Sequence, residues 1–383
     1  MNLISHEYES SAVTSASAVP FDERPFIVIW EMTRACDLAC LHCRASAQSL
    51  RSPQELSTLE GERLIGEVAE MGVPVFILTG GDPLKRSDTS QLVGFAARLR
   101  LPVSLAPSAT PLLTREAIAQ LGRQGLARLA LSLDGAEPEV HDAIRGVQGS
   151  FQRTLNAAGW ARESGLSLQI NTTVTRRNLD EIPALIPLLE SMDIVMWSVF
   201  IMVPTGRGQR SDLITADQCE ELFGLMYAAS RRVPFHVKTT EGMHYRRYLL
   251  QQHAKEQRGQ PATGSPAETK KALDSIGRAP RGLNDAKGFV FVSHTGDVYP
   301  SGFFPSVAGN IRQQSLSEIY RHSPLFIALR DPDRLKGKCG RCEFRNICGG
   351  SRARAFTMTG DAFAEDPLCV YQPQPLRPSV SAP

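Results

Sequence analysis

The chain has 383 residues, of which 42% are hydrophobic and 21% charged, and its formal net charge is +2. This length suits two or three domains, or one barrel with an appendage, and the balanced charge gives no sign of a nucleic-acid partner. No apolar run reaches the ~18 residues of a membrane span, and the N-terminus, with Glu7 and Glu9, lacks the apolar core of a targeting signal. We therefore expect a cytoplasmic globular protein without a membrane span, with a disordered tail over 1–23.

Short apolar, β-branched runs recur along the first half of the chain and predict buried strands. They are Phe26–Trp30, Val73–Leu78, Pro102–Ala106, Leu129–Leu133, Leu168–Val174 and Ile194–Ile201. Amphipathic segments with helix-start signals lie between them: capping boxes at Ser57–Glu60 and Asn178–Glu181, and N-caps at Thr114 and Ser150.

This alternation predicts right-handed βαβ crossovers and a parallel sheet, and so the α/β class. Six units are too few for an eight-stranded barrel, so we expect a partial, open (β/α)6 barrel over 24–235 with its site at the carboxyl ends of the strands. Residues 236–287, rich in Gln, Lys, Pro, Gly and Ser after Gln251, predict a linker or lid. A small cysteine-rich extension over 288–375 and a tail over 376–383 complete the predicted organisation.

Three cysteines directly follow the first predicted strand. Cys36, Cys40 and Cys43 have the spacing C-x3-C-x2-C, and three such thiolates can hold one corner of a 4Fe–4S cluster while leaving the fourth iron open. Zinc is the alternative, but a structural zinc site needs four ligands, and His42 between two of the cysteines is poorly placed. A disulfide framework does not suit a long chain with eight cysteines and no secretory signal. The pattern favours an open, reactive cluster.

Two further motifs follow predicted strands. Gly80-Gly81-Asp82-Pro83 comes after the second strand, where paired glycines let the backbone approach a ligand; a simple tight turn is the alternative. Ser132 and Asp134 share one face at the end of the fourth strand, and Arg145 can pair with a carboxylate or form a surface salt bridge.

In this order the motifs resemble those of radical S-adenosylmethionine (SAM) enzymes over roughly residues 24–375. The resemblance implies that Cys36, Cys40 and Cys43 hold a 4Fe–4S cluster whose open iron binds SAM. One electron would then cleave SAM to a 5′-deoxyadenosyl radical that abstracts hydrogen from the substrate. The SAM contacts that it implies are Gly80, Gly81, Asp82, Pro83, Ser108, Ser132, Asp134, Arg145 and Asn171, although Ser108 stands where relatives often have Asn-Gly.

Four late cysteines, Cys339, Cys342, Cys348 and Cys369, form a second set. Taken alone, their spacing also suits a zinc ribbon. The set resembles the SPASM or "twitch" extensions of radical SAM enzymes, which implies a fully ligated auxiliary 4Fe–4S cluster. Serines at 301 and 351 occupy two likely positions of further cysteines, so we expect one auxiliary cluster and two clusters in all. Cys219, alone in a helical stretch, is expected to be a small buried residue.

Longer stretches, among them Asn171–Leu179 and Val203–Gly208, resemble radical SAM enzymes of the alternative haem pathway and of haem d1 synthesis. The resemblance is greatest to the decarboxylase that converts iron-coproporphyrin III to haem b. It implies Arg207, Arg246 and Arg247 as partners of substrate propionates, and His244 and Tyr245 near the macrocycle. Exposed arginines and a half-buried His–Tyr pair are the structural alternatives.

Three functions stay open at this stage. The first is oxidative decarboxylation of a tetrapyrrole, with electrons from a reductase or a flavodoxin- or ferredoxin-type donor. The second is maturation of a ribosomally made peptide. The third, a non-enzymatic zinc- or cluster-carrying protein, is disfavoured because the open and closed cysteine sites occur in order on one chain.

Overall fold

A computed structural model describes residues 20–259, 271, 274, 276 and 282–373. Its centre is a single sheet of ten strands in the order β10-β9-β8-β1-β2-β3-β4-β5-β6-β7. The strands are β1 Ile27–Glu31, β2 Val75–Thr79, β3 Val103–Leu105, β4 Arg128–Ser132, β5 Leu168–Val174, β6 Met196–Ile201, β7 His236–Thr240, β8 Phe289–Val292, β9 Asp297–Tyr299 and β10 Gly309–Asn310. β8 and β1 to β7 pair in parallel, whereas β9 and β10 are antiparallel.

The helices fill the crossovers between strands and continue after the sheet. They are α1 Thr58–Glu70, α2 Thr89–Arg98, α3 Arg115–Arg123, α4 Pro138–Arg145, α5 Ser150–Glu163, α6 Ile182–Ser191, α7 Ala216–Arg232, α8 Tyr245–Gln257, α9 Leu316–His322, α10 Pro324–Arg330, α11 Gly337–Arg341 and α12 Arg352–Thr359. Their buried faces and the outer face of the sheet, which includes the fully buried Val28 and Trp30, form one large apolar core. No helix in the described ranges is long and apolar enough to cross a membrane.

All six predicted strands are present, and the open parallel sheet predicted from their alternation is confirmed. The sequence did not predict β7, and it did not predict that β8 joins the parallel sheet by pairing with β1. β7 reads His-Val-Lys-Thr-Thr and is half-buried along its whole length, so it lacks the apolar run by which the other strands were found.

The prediction that residues 236–287 form a linker or lid is therefore wrong for the first part of that range. Residues 236–240 pair with β6 as β7, and α8 follows. The remainder of that prediction falls largely outside the described residues, as do 1–19 and 374–383. Residues 20–23 belong to the fold, because the backbone carbonyl of Phe21 accepts a hydrogen bond from Tyr320 at 2.5 Å.

Helix starts were predicted with mixed success. The Ser57–Glu60 capping box forms, and the Thr114 side chain caps α3. The predicted box at Asn178 is wrong: its amide instead donates to the carbonyl of Asp134 at 2.8 Å. Ser150 is the first residue of α5, and Gly149 is the N-cap. Asn178 thus joins two loops at the carboxyl edge of the sheet.

The barrel is open between β7 and β8, which are not paired in the described part of the chain. A cavity of about 180 Å³ lies at this seam, and Glu241, Asp285 and Ser301 line it. Ser351 donates to the Glu241 carboxyl at 2.5 Å, and Arg354 donates to its backbone carbonyl at 2.8 Å. Polar side chains thus fill part of the gap between β7 and β8.

Two buried carboxyl groups in this seam make stability depend on pH. Burial, and then the neighbouring Asp285, raise the pKa of Glu241 to about 8, although Ser351 and Arg354 act the other way; burial also raises the pKa of Asp285. The folded protein therefore holds a proton that the unfolded chain has already lost, and stability falls as the pH rises from the ordinary carboxyl range through about 8. Glu241→Gln should flatten this decline in anaerobic thermal denaturation at several pH values.

The matched control is Glu139→Gln, which changes an exposed carboxylate on α4. It should retain the wild-type slope of melting temperature against pH. An equal slope in the wild type and in Glu241→Gln would show that Glu241 is ionised in the fold.

Candidate active site

A cavity of about 200 Å³ opens at the carboxyl ends of the parallel strands. Cys36, Cys40 and Cys43 all line it. Six of the residues predicted to contact SAM line the same cavity: Gly80, Gly81, Ser108, Ser132, Arg145 and Asn171. Side chains and turns from β2, β3, β4 and β5 thus face the cysteine loop that follows β1.

Two neighbouring loops pack directly against the cysteine loop, because each has a glycine at the point of contact. A Cβ on Gly81 would lie 2.4 Å from the carbonyl oxygen of Ala35, and one on Gly206 would lie 2.3 Å from that of Cys43. Gly206 also has a φ of +61°, which other residues rarely adopt. The next residue, Arg207, donates its N–H to the Cys43 carbonyl at 3.0 Å. The loops after β2 and β6 therefore fix the cysteine backbone.

The Gly-Gly turn differs from the sequence prediction in detail. Its backbone groups were expected to be free for a ligand, but the Gly81 N–H bonds the Thr33 carbonyl at 2.7 Å and its carbonyl accepts from Ser108 at 2.8 Å. Asp82 and Pro83 lie behind the cavity wall, and the Asp82 carboxylate accepts from Thr110 at 2.7 Å. These two residues brace the turn, and direct contact with SAM is not indicated for them.

Arg145 and Asp134 form a buried ion pair beside the cysteines. The two are 2.5 Å apart, and another nitrogen of Arg145 lies 3.7 Å from the sulfur of Cys40. Burial alone would raise the pKa of Asp134, but Arg145 and the nearby histidines hold it below its usual value. Asp134 itself does not line the cavity. It positions Arg145 and neutralises that charge next to the sulfur.

Burial keeps the two histidines of this region neutral at pH 7. It lowers the pKa of His42 to about 4 and that of His141 to about 4. The His141 ring accepts the Asp134 N–H at 3.1 Å, so it supports the end of β4. Ser108, by contrast, reaches the first cysteine directly, with its hydroxyl 3.3 Å from the sulfur of Cys36.

The sequence analysis did not predict a cluster of charged side chains that connects the cysteine loop to the C-terminal part of the chain. Glu31, at the end of β1, accepts from Arg44 at 2.8 Å and lies 3.0 Å from His294. Arg44 also stacks on Phe291, 4.5 Å from the ring centroid. The sequence signal for this group is Glu31 itself, a charged residue at the end of an otherwise apolar strand. A buried charge is costly unless it is paired, so such a residue predicts charged partners.

The four late cysteines line a second cavity. Cys339, Cys342, Cys348 and Cys369 meet there although the last lies 21 residues beyond the third in sequence. All eight cysteines of the chain are unpaired by disulfides. A closed set of four thiols around one cavity fits a fully ligated cluster.

Of the predicted substrate contacts, only Arg207 lines the central cavity. His244 and Arg247 line the second cavity, whereas Tyr245 and Arg246 line the seam. Arg247 pairs with Glu220 at 2.5 Å. The predicted substrate roles of these four residues do not match their positions, because α8 faces away from the central cavity.

Cys219 is fully buried in the core, as predicted, with its sulfur 3.3 Å from the His244 ring. The aromatic face of Phe223 packs on the same ring. This cysteine lines neither cysteine cavity.

Comparison with known proteins agrees with this arrangement. Residues 30–189 match the Radical SAM superfamily, and residues 285–343 match SPASM, an iron-sulfur cluster-binding domain. The chain therefore belongs to the radical SAM superfamily and carries a SPASM-type extension.

Its relatives include proteins of two kinds. It is 41% identical to the AdoMet-dependent heme synthase of Oleidesulfovibrio alaskensis over 91% of this chain and 88% of the relative. It is 40% identical to that of Methanosarcina barkeri over 91% of this chain and 97% of the relative. It is 30% identical to the PqqA peptide cyclase of Rhizobium meliloti over 94% of this chain and 90% of the relative.

The crystal structure of Streptococcus suis SuiB bound to S-adenosylmethionine shares the fold. Its TM-score is 0.68 at 18% identity, covering 91% of this chain and 78% of SuiB. The family membership implies a 4Fe–4S cluster, SAM and an additional iron–sulfur cluster. The donor sets fit these groups, because three thiols line the central cavity and four line the second.

Iron content should divide cleanly between the two cysteine sets. After anaerobic reconstitution we expect about eight irons per chain. Cys40→Ala should lose about four irons and all SAM cleavage, whereas Cys342→Ala should lose about four and still form 5′-deoxyadenosine. Iron analysis and chromatography of the SAM products measure both.

Cys219→Ala is the control, since it removes a thiol that lines neither cavity. It should retain both iron and cleavage. SAM cleavage by Cys40→Ala at the wild-type rate would refute the ligand assignment.

Proposed function

We propose that this radical SAM enzyme oxidatively decarboxylates propionate side chains of an iron-coproporphyrin-type tetrapyrrole. The observation that carries the proposal is Arg207. Its Nε and one terminal nitrogen are buried without a hydrogen-bond partner, and the residue lines the central cavity with the three cysteines. Burying these two nitrogens without partners is costly, and a substrate carboxylate is a ligand that would accept from both in bidentate fashion.

The rest of the cavity wall suits a large apolar ring. Phe200, Met202, Val203 and Phe303 form part of the cavity lining. Such a wall also keeps water from a reactive radical. The relatives that are 41% and 40% identical are named AdoMet-dependent heme synthases, which supports a tetrapyrrole substrate.

The cluster and SAM supply the hydrogen-abstracting radical when bound. A hydrogen atom leaves the propionate β-carbon, and the bond between the α-carbon and the carboxylate then breaks. CO2 departs, a vinyl group forms, and one electron is left over. Arg207 would hold the carboxylate for this step, and the apolar wall would orient the ring.

SAM cleavage itself consumes one electron, which a partner must deliver. We propose a reductase, or a flavodoxin- or ferredoxin-type protein, as that donor. The ground is chemical: the cysteine-ligated clusters of radical SAM proteins are one-electron centres.

Peptide modification is the second candidate. It is favoured by the peptide cyclase relative, at 30% identity over nearly the whole chain. The higher identity to the heme synthases makes the tetrapyrrole the stronger proposal.

Anaerobic incubation with SAM, reductant and iron-coproporphyrin III should release CO2 and yield vinyl products. Arg207→Gln should weaken substrate binding about 10- to 100-fold, the value of a hydrogen bond to a charged group. The shift of the Soret band on titration measures binding, and mass spectrometry measures product. Formation of 5′-deoxyadenosine without substrate should persist in the variant.

Arg177→Gln is the matched control, because Arg177 is exposed and pairs with Asp212 at 2.9 Å. It should bind substrate as the wild type does. Wild-type affinity in Arg207→Gln would remove Arg207 from the site, and absence of any Soret shift in the wild type would favour the peptide candidate.

A further inference from the structure

Each cysteine set has one arginine whose guanidinium points at a sulfur. Arg145 lies 3.7 Å from the sulfur of Cys40, and Arg352 lies 3.8 Å from the sulfur of Cys339. The two contacts are alike in length and chemistry. They differ in what else each guanidinium touches.

At the central cavity the positive charge of Arg145 is cancelled. Arg145 pairs with Asp134 at 2.5 Å, and both side chains are buried. Arg207 lines the same cavity, and two of its nitrogens are buried without a hydrogen-bond partner. The pairing of Arg145 therefore does not leave this cavity without positive charge.

At the second cavity the positive charge is not cancelled. Arg352 is 1% exposed and donates to the carbonyls of Ala362 at 2.8 Å and Ala364 at 2.7 Å. No carboxylate among the described residues lies within 4.0 Å of its guanidinium, the distance of an ion pair. Carbonyl dipoles solvate this guanidinium but leave its net charge in place.

Arg246 repeats this arrangement nearby. It donates to the carbonyls of Leu283 at 2.5 Å and Ile347 at 3.1 Å, next to Cys348 in sequence, and it too has no carboxylate partner among the described residues. The arginines and the lysine that line this cavity are paired: Arg247 with Glu220, Lys338 with Glu365, and Arg345 with Asp333. Near the four cysteines, Arg352 and Arg246 thus have no carboxylate within ion-pair distance among the described residues, and Asp285 and Glu241 interact with them only at longer range.

We propose that Arg352 and Arg246 raise the reduction potential of the auxiliary cluster. Reduction adds one negative charge to a cluster, and a fixed positive charge in a low-dielectric interior stabilises that charge. An N–H directed at a cluster sulfur, as that of Arg352 is at the sulfur of Cys339, acts in the same direction.

The potential is measured without substrate, so this test does not rest on the proposed function.

The test is an anaerobic potentiometric titration of the full-length protein with both clusters, followed by electron paramagnetic resonance. The signal that SAM does not perturb reports the auxiliary cluster. Arg352→Gln removes the charge and keeps an amide donor, and it should lower the reduction equilibrium of that cluster at least tenfold, about 59 mV for one electron. The potential of the open cluster should stay at the wild-type value.

Two further variants separate charge from packing. Arg352→Lys keeps the positive charge and should retain most of the wild-type potential. Arg345→Gln removes the same charge from a partly exposed guanidinium that lies 2.9 Å from Asp333, so it should shift the potential far less.

An unchanged auxiliary potential in an iron-replete Arg352→Gln protein overturns the proposal. So does an equal loss in Arg352→Lys, which would assign the effect to packing. If Arg352→Gln fails to hold iron, Arg246→Gln removes the second buried charge, and an unchanged potential there overturns the proposal as well.

Discussion

The cysteine loop after β1 is positioned by close contact with backbone. The turn after β2 and the loop after β6 approach it where Gly81 and Gly206 leave no room for a Cβ. A cluster held by three thiolates needs their sulfurs at fixed separations, and a loop of this length has no helix or strand to impose them. Neighbouring loops therefore supply the rigidity. Everything else at the site, including the cavity that these loops enclose, depends on this packing.

Charge is handled differently in the three buried polar regions. At the central cavity an arginine and an aspartate neutralise each other beside Cys40. Near the second cavity Arg352 and Arg246 donate to backbone carbonyls, and Arg352 also contacts the sulfur of Cys339. At the seam, burial raises the pKa of both Glu241 and Asp285 and so favours their protonated forms. Different groups therefore balance buried charge in each of the three regions.

The continuous sheet couples the two cysteine sites mechanically. β8 belongs to the C-terminal part in sequence, yet it pairs with β1, the strand that precedes the cysteine loop. Glu31 at the end of β1 bonds Arg44 on one side and His294 on the other. The open edge between β7 and β8 leaves room for the polar seam, which links Ser351, just after Cys348, to the end of β7.

The sequence by itself determined the class of the fold, the six apolar strands, and both cysteine sets, because these depend on local patterns: apolar runs, capping residues and ligand spacing. Only the tertiary structure decided the rest. β7 is polar and is a strand because β6 pairs with it. Asp82 was predicted to contact SAM, but its carboxylate instead accepts a hydrogen bond from Thr110 in the loop after β3. The sequence grouped His244 and Arg247 with Arg207 as substrate contacts. They line the other cysteine cavity instead, because the start of α8 faces that cavity. Whether a buried arginine meets a carboxylate, as Arg145 does, or backbone carbonyls, as Arg352 does, depends on how the loops fold around it, which the sequence patterns do not specify.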